Sequence, residues 1–285
     1  MKIKGFFDEA TNTVTYVVFD SDTRDAVIID PVLDFDPVWI DVHETGLNKV
    51  VAFVRANDLK VHYVLDTHAH ADHMSGFQKL ASELGAKIGI GANIGQVQAV
   101  FRDLLDLGDG FKTDGSQWDV LVKEGQPLKA GSLTLEGIET PGHTPACMTY
   151  KIRDAVFVGD SMFMPDFGTG RCDFPGGSAE QLFDSIQKLY ALPDETRVFV
   201  GHDYGPGGRD IAWETTIGDA KRDNIQVKAD TPKEDFVKWR AARDATLEPP
   251  RLIFPSLQVN ANAGKLPAPH GNGRSYLNLP LNVFR

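Results

Sequence analysis

The stretch Val61-His62-Tyr63-Val64-Leu65 is an apolar run of strand length, and it opens directly into Asp66-Thr67-His68-Ala69-His70-Ala71-Asp72-His73. A buried strand whose C-terminal end meets a polar loop is where α/β architectures place ligands. Three histidines and a carboxylate crowded into residues 68–73 gain nothing from packing. Neutral imidazole and carboxylate are, in contrast, the donors that zinc, iron or manganese accept. A short loop also lets alternate residues point towards one centre.

The rest of the chain alternates in the same way. Val14 to Phe19 and Ala26 to Ile29 are β-branched runs, and Leu47, Val50, Val51 and Val54 have helical spacing. Ser75 to Leu84 and Asn93 to Phe101 are predicted helices around a strand at Ala86 to Ile90, and the glycine-rich stretch 106–118 is a loop. From Gln126 the pattern turns β-rich, at Leu128 to Ala130, Leu133 to Ile138, Cys147 to Ile152 and Ala155 to Val158, which implies a second sheet. Ser178 to Tyr190 carries the clearest helix signature, with Ser178 as N-cap, Gln181 at the capping-box position and Leu182, Phe183, Ile186 and Leu189 on one face. The strand Arg197 to Val200 follows and again ends in a polar loop, Gly201 to Gly208. Six prolines among residues 249–285 predict a C-terminal extension, from about 249, that lies extended over the body. No fixed-period repeat and no Ser/Gly linker divides the chain, so residues 1–285 are expected to form one domain.

At 285 residues the chain is long enough to bury roughly 73% of its unfolded surface without disulfide staples. Its charge balance, 29 basic against 40 acidic residues for a net −11, repels a phosphate backbone, so no nucleic-acid partner is expected. The longest apolar run, Val50 to Val54, is about five residues against the roughly 20 that span a bilayer, and no membrane partner is expected. The N-terminal segment turns acidic before an apolar stretch develops, and two cysteines without CxxC spacing suit a reducing compartment. A cytoplasmic location is the expectation.

Of the eight histidines, five lie in loops after predicted strands: His68, His70, His73, His143 and His202. His143 sits in Thr140-Pro141-Gly142-His143-Thr144-Pro145, where proline and glycine set the turn that aims the ring. Asp160 ends the run Ala155 to Gly159, and His202 follows the strand ending at Val200.

The order Thr-His-x-His-x-Asp-His, Pro-Gly-His-Thr, Gly-Asp, Gly-His resembles the metallo-β-lactamase superfamily. The resemblance implies an α/β fold, the αβ/βα sandwich of two mixed sheets flanked by helices, with metal ligands on loops at one edge. Matched by position, it implies His68, His70 and His143 at one metal, Asp72, His73 and His202 at a second, and Asp160 as the bridge.

The segments Met164-Pro165-Asp166, Gly170-Arg171-Cys172-Asp173-Phe174, Pro175-Gly176-Gly177, Gly201-His202-Asp203-Tyr204 and Trp213-Glu214-Thr215-Thr216 are similar to the persulfide dioxygenase (sulfur dioxygenase) branch. That resemblance, which runs to about Asn282, implies one Fe(II) per chain held by His68, His143 and Asp160. His70, Asp72, His73 and His202 then orient the site or hold water. It further implies glutathione persulfide and O2 as substrates, oxidised with water to sulfite and glutathione in sulfide detoxification, with Arg171 and Tyr204 near the substrate. A two-histidine, one-carboxylate face leaves positions open on iron, which suits that chemistry.

Other readings stay open. All seven ligand residues of a binuclear zinc thioesterase of the glyoxalase II type are present, a lactonase of the same fold differs by substrate alone, and a persulfide-binding sensor is the non-enzymatic alternative. For Arg171 the competing role is a salt bridge that holds its loop. Cys147 and Cys172 are expected to be buried thiols rather than nucleophiles, and His43, His62 and His270 lie outside any ligand cluster. Asp30, Asp34, Asp36 and Asp41 lack calcium-loop spacing and are expected in a solvated loop, and Gly205-Pro206-Gly207-Gly208 is expected to be a turn. A homodimer or larger homo-oligomer is expected on the general prevalence of small symmetric assemblies.

Overall fold

The computed structural model of the chain describes residues 1–283. Its first half runs β1 (Lys2–Asp8), β2 (Thr13–Phe19), β3 (Asp25–Ile29), β4 (Val32–Asp36), β5 (Asp41–His43), α1 (Thr45–Ala56), β6 (Lys60–Leu65), β7 (Met74–Ser75), α2 (Phe77–Leu84), β8 (Lys87–Gly91), α3 (Ile94–Leu104) and β9 (Val120–Val122). The second half runs β10 (Leu128–Ala130), β11 (Leu133–Glu139), β12 (Met148–Ile152), β13 (Ala155–Phe157), α4 (Ala179–Tyr190), β14 (Arg197–Phe199), β15 (Glu214–Thr216), α5 (Ile217–Asp223), α6 (Lys233–Asp244) and α7 (Ile253–Asn260). Two six-stranded sheets result, in the orders β1-β2-β3-β6-β8-β9 and β10-β11-β12-β13-β14-β15, each with parallel and antiparallel neighbours.

Side-chain alternation along the strands builds the layers. On β2, Val14, Tyr16 and Val18 face the second sheet, while Val17 and Phe19 face the helical layer of α1, α2 and α3. On β13 and β14, Phe157 and Phe199 face inwards and stack at 5.1 Å, while Val156 and Val198 pack under α4 and α5. Three apolar layers in series thus make the αβ/βα sandwich expected from the sequence. Helix α4 starts where its cap predicted, with Ser178 Oγ accepting from the Gln181 backbone N–H at 3.3 Å.

Three local expectations change. Ser75 is not helical, because it pairs with Val32 of β4 as part of β7, so α2 begins at Phe77. Asp34 and Asp36 lie on β4 and Asp41 on β5, a hairpin rather than an irregular loop, and Asp30 is buried. The Pro-rich extension contains the buried helix α7, whose Ile253, Leu257 and Val259 join the core beside β2, β6 and α3. Pro255 is tolerated there because it occupies the first helical turn, where its missing N–H would have had no intrahelical partner. Among the described residues no helix is long and apolar enough to cross a membrane.

Candidate metal centre

Strands β3, β6, β13 and β14 all end at one edge of the two sheets, and the loops that follow supply most of the site. β3 ends at Ile29 and β6 runs parallel beside it, so the Asp30 N–H that follows donates to Leu65 O at 2.8 Å and the Asp30 carboxylate underlies the loop after β6. Asp30 Oδ1 accepts from Thr67 N–H at 2.6 Å and from His70 Nε2–H at 3.0 Å, and Oδ2 accepts from Thr67 Oγ1–H at 3.0 Å. The expectation of a solvated Asp30 is therefore corrected: it is 1% exposed and anchors the histidine loop.

Each of the five strand-end histidines commits one ring nitrogen and leaves the other facing inwards. His68 Nδ1 pairs with Thr67 Oγ1 (3.0 Å), His70 Nε2 with Asp30, and His73 Nδ1 with Met74 O (3.0 Å). His143 Nδ1 pairs with Arg171 O (2.7 Å) and His202 Nδ1 with Asn12 O (3.2 Å). A second partner of this kind sets the tautomer and orientation of a metal-binding imidazole. His68 Nε2, His70 Nδ1 and His73 Nε2 are buried without any hydrogen-bond partner, a costly arrangement that a metal cation would satisfy.

The donors form three groups in which the ligand atoms all lie within 4.8 Å of one another: His68, His143 and Asp160; His70, Asp72 and His73; and Asp30, Asp66 and His70. His70 thus shares a group with Asp72 and His73, while its ring centroid lies 4.1 Å from that of His68. Asp160 stands between the halves, with Oδ2 3.5 Å from His143 Nε2 and Oδ1 3.2 Å from His202 Nε2. His202 Nε2 also lies 3.6 Å from Asp72 Oδ2. Burial pushes the His68 imidazolium well down, towards the neutral form a metal needs. Burial opposes ionisation of Asp160, but the rings of His202, His143 and His68 outweigh it and hold the carboxyl well below its ordinary range.

Glycines allow the close approaches. A Cβ on Gly159 (φ +51°) would lie 2.4 Å from Thr67 Oγ1, so only glycine lets the turn carrying Asp160 reach the β6 loop. Gly142 (φ +144°) faces the Leu182 backbone at the start of α4, and its carbonyl accepts from Ser178 N–H at 2.8 Å.

Two of the cavities that adjoin the centre reach Arg171. One, of about 380 Å³, is lined by Asp160, Phe163, Phe167, Arg171 and Tyr204 among others. The second, of about 290 Å³, runs from His143 past Phe174, Pro175, Leu247 and Pro250, and Arg171 borders both. The Arg171 fork is engaged by Asp173 (2.5 Å through both Nε and Nη2) and by Glu248 O (2.8 Å), so its side chain ties its loop to the segment after α6. Tyr204 stacks on Phe167 at 4.5 Å and is 44% exposed along the larger cleft. Cys147 and Cys172 are buried, and burial pushes the Cys147 thiol up to about 12 and the Cys172 thiol up as well, as packing residues rather than nucleophiles.

Sequence reasoning missed Asn260, whose Nδ2 donates to His70 O and His73 O at 2.8 Å each while Oδ1 accepts from Ser75 N–H at 2.7 Å. Nothing local marks it, because its partners lie far away in sequence. Asp30 did carry a signal, since it ends a β-branched run as Asp66 does.

The model of the metallo-beta-lactamase superfamily matches residues 9–202. A probable metallo-hydrolase of Burkholderia pseudomallei is 44% identical over 100% of both chains, and glyoxylase B2 of Dictyostelium discoideum is 42% identical over 100% of this chain and 98% of that one. The mitochondrial persulfide dioxygenase ETHE1 of Homo sapiens is 30% identical over 71% of this chain and 68% of that one. Among solved structures, ETHE1 from Myxococcus xanthus superposes with a TM-score of 0.74 at 32% identity, covering 93% of this chain and 100% of that one.

Proposed function

The chain belongs to the metallo-beta-lactamase superfamily, and from that premise we propose that it is an Fe(II)-dependent persulfide dioxygenase acting on glutathione persulfide. The observation that carries this reading is the convergence of His68, His143 and Asp160 within 4.8 Å, two imidazoles and one carboxylate, beside a cleft walled by Arg171 and Tyr204. That donor set suits a non-haem Fe(II) with open positions, and the orphaned buried His68 Nε2 fits a cation there. When bound, iron would supply the one-electron and O2 chemistry that side chains lack.

The protein's own groups then bind, orient and exclude water. Arg171 O and the Thr67 hydroxyl hold the His143 and His68 rings, so their inner nitrogens stay aimed at one point. Phe163, Phe167 and Tyr204 form an aromatic wall that keeps water from the sulfur. Arg171 borders the cleft with its guanidinium paired to Asp173, so its side chain shapes the wall by holding the loop. In the balanced overall reaction the persulfide, O2 and one water give glutathione and sulfurous acid, which ionises to sulfite. A cytoplasmic site of action goes with this proposal.

A second reading, a binuclear zinc thioesterase of the glyoxalase II type, draws on the adjacent His70, Asp72 and His73 group and on the similarity to glyoxylase B2. Metal analysis of the purified protein together with two substrates separates the readings. One iron per chain with sulfite from glutathione persulfide supports the dioxygenase. Two zincs with hydrolysis of S-lactoylglutathione overturn it.

A further inference from the structure

Resting on the reading of a thiol-peptide substrate, we infer that Arg243, on α6, is the residue that recognises the substrate's carboxylate and so sets its charge preference. The 380 Å³ cleft beside Asp160 is walled by three arginines, Arg171, Arg240 and Arg243. Two of them are neutralised within the protein. Arg171 is forked onto Asp173, and buried Arg240 donates to Asp244 Oδ1 at 2.5 Å. Arg243 has no carboxylate within 4.0 Å among the described residues, and its guanidinium donates to the Thr246 hydroxyl at 3.2 Å. It is therefore the uncompensated cation of the cleft.

A lone surface arginine is ordinarily just solvated, but Arg243 lines a cavity of about 380 Å³ that also reaches Asp160 of the metal centre. Arg240 is 3% exposed, yet its Nε has no hydrogen-bond partner. Residues three apart share a helix face, so an unfilled buried donor and an unpaired charge sit side by side on α6. The stacked pair Phe167 and Tyr204 and Asp160 of the metal centre line the same cleft. Such a cleft takes a molecule with a carboxylate at one end and its reacting sulfur at the other, and it disfavours thiol derivatives without an anionic end.

Calorimetric titration of glutathione into the metal-loaded protein tests this, because glutathione is a product under either reaction considered above. Arg243 is exposed, so its substitution leaves folding intact. Arg243→Gln is expected to weaken glutathione binding about tenfold or more, and Arg243→Lys to weaken it less, since a charge-assisted hydrogen bond is lost in the first and partly kept in the second. Glutathione diethyl ester is expected to bind wild type about as weakly as glutathione binds Arg243→Gln, and the variant should not distinguish the two ligands. Equal glutathione affinity in wild type and Arg243→Gln, or a wild type that binds the ester as tightly as the acid or binds neither, overturns the inference. Arg243-dependent binding without oxygen uptake from glutathione persulfide would overturn the dioxygenase reading alone. Oxygen uptake that ignores Arg243 would overturn the carboxylate site alone.

Discussion

Asn260 Nδ2 donates to the carbonyl of His73 at 2.8 Å across 187 residues of sequence, and the same amide nitrogen holds the His70 carbonyl. The end of α7 is thus a brace for the loop that carries three imidazoles. Asn260→Ala is expected to cost on the order of 3 kcal/mol, because it leaves buried carbonyls unpaired. It should also weaken metal binding about 10- to 100-fold, as loss of an orienting partner does elsewhere. Asn260→Asp keeps the acceptor for Ser75 but turns a carboxylate oxygen towards two carbonyls, so it should bind metal no better than the alanine variant. Competition with a chelator, read by metal retained per chain, checks both.

The one-iron account separates the histidines. Asp160→Ala and His143→Ala should lose iron and activity together, whereas His70→Ala should keep close to one iron per chain, since His70 groups with Asp72 and His73. Elemental analysis of the three variants decides it, and loss of all iron from His70→Ala contradicts the assignment.

Arg171 touches His143 through its backbone carbonyl and its loop through its side chain. Arg171→Ala is therefore expected to retain metal while KM rises roughly 3- to 10-fold, as the loop bordering the cleft loses its ties to Asp173 and Glu248. Steady-state kinetics with parallel metal analysis tests it. An emptied site would show instead that the side chain holds the ligand loop.

Much of this was legible because strand ends are punctuated in sequence. The runs before Asp66, Asp160 and Gly201 are apolar and β-branched, so the polar residues after them had to lie at one sheet edge. The helix Ser178 to Tyr190 was marked by its cap. Asp30 was misplaced because its neighbours Asp34, Asp36 and Asp41 made it look like one of a solvated group, although it alone is buried beneath Thr67 and His70. The α7 brace was hidden by prolines that suggest extended chain, and its bonds to residues 70–75 are tertiary. Arg243 was silent because its meaning depends on which arginines already have partners.

Burial holds both thiols protonated at neutral pH, with Cys147 pushed up to about 12. Neither cysteine should react with iodoacetamide in the folded protein, and both should react once it is denatured. Mass spectrometry of the two samples checks this, and fast labelling of Cys172 in the native state contradicts the packing role.

Arg153 lowers the Asp20 carboxyl to about 2 through a 2.5 Å hydrogen bond. A depressed carboxylate contributes stability above its unfolded pKa of about 4 and loses it as pH falls through the folded value. Wild type should therefore melt above Arg153→Met at neutral pH, and the gap should close between about pH 4 and pH 2. Melting curves across that window test the sign, and a gap that widens on acidification contradicts it.

The central claim is tested most directly by an oxygen electrode. Fe(II)-loaded protein is given glutathione persulfide, with chelator-treated protein and a protein-free mixture run in parallel. The account predicts rapid uptake with one sulfite formed per O2 consumed, abolished by chelation. Uptake no faster than the controls, with thioester hydrolysis by the zinc-loaded protein, would contradict it.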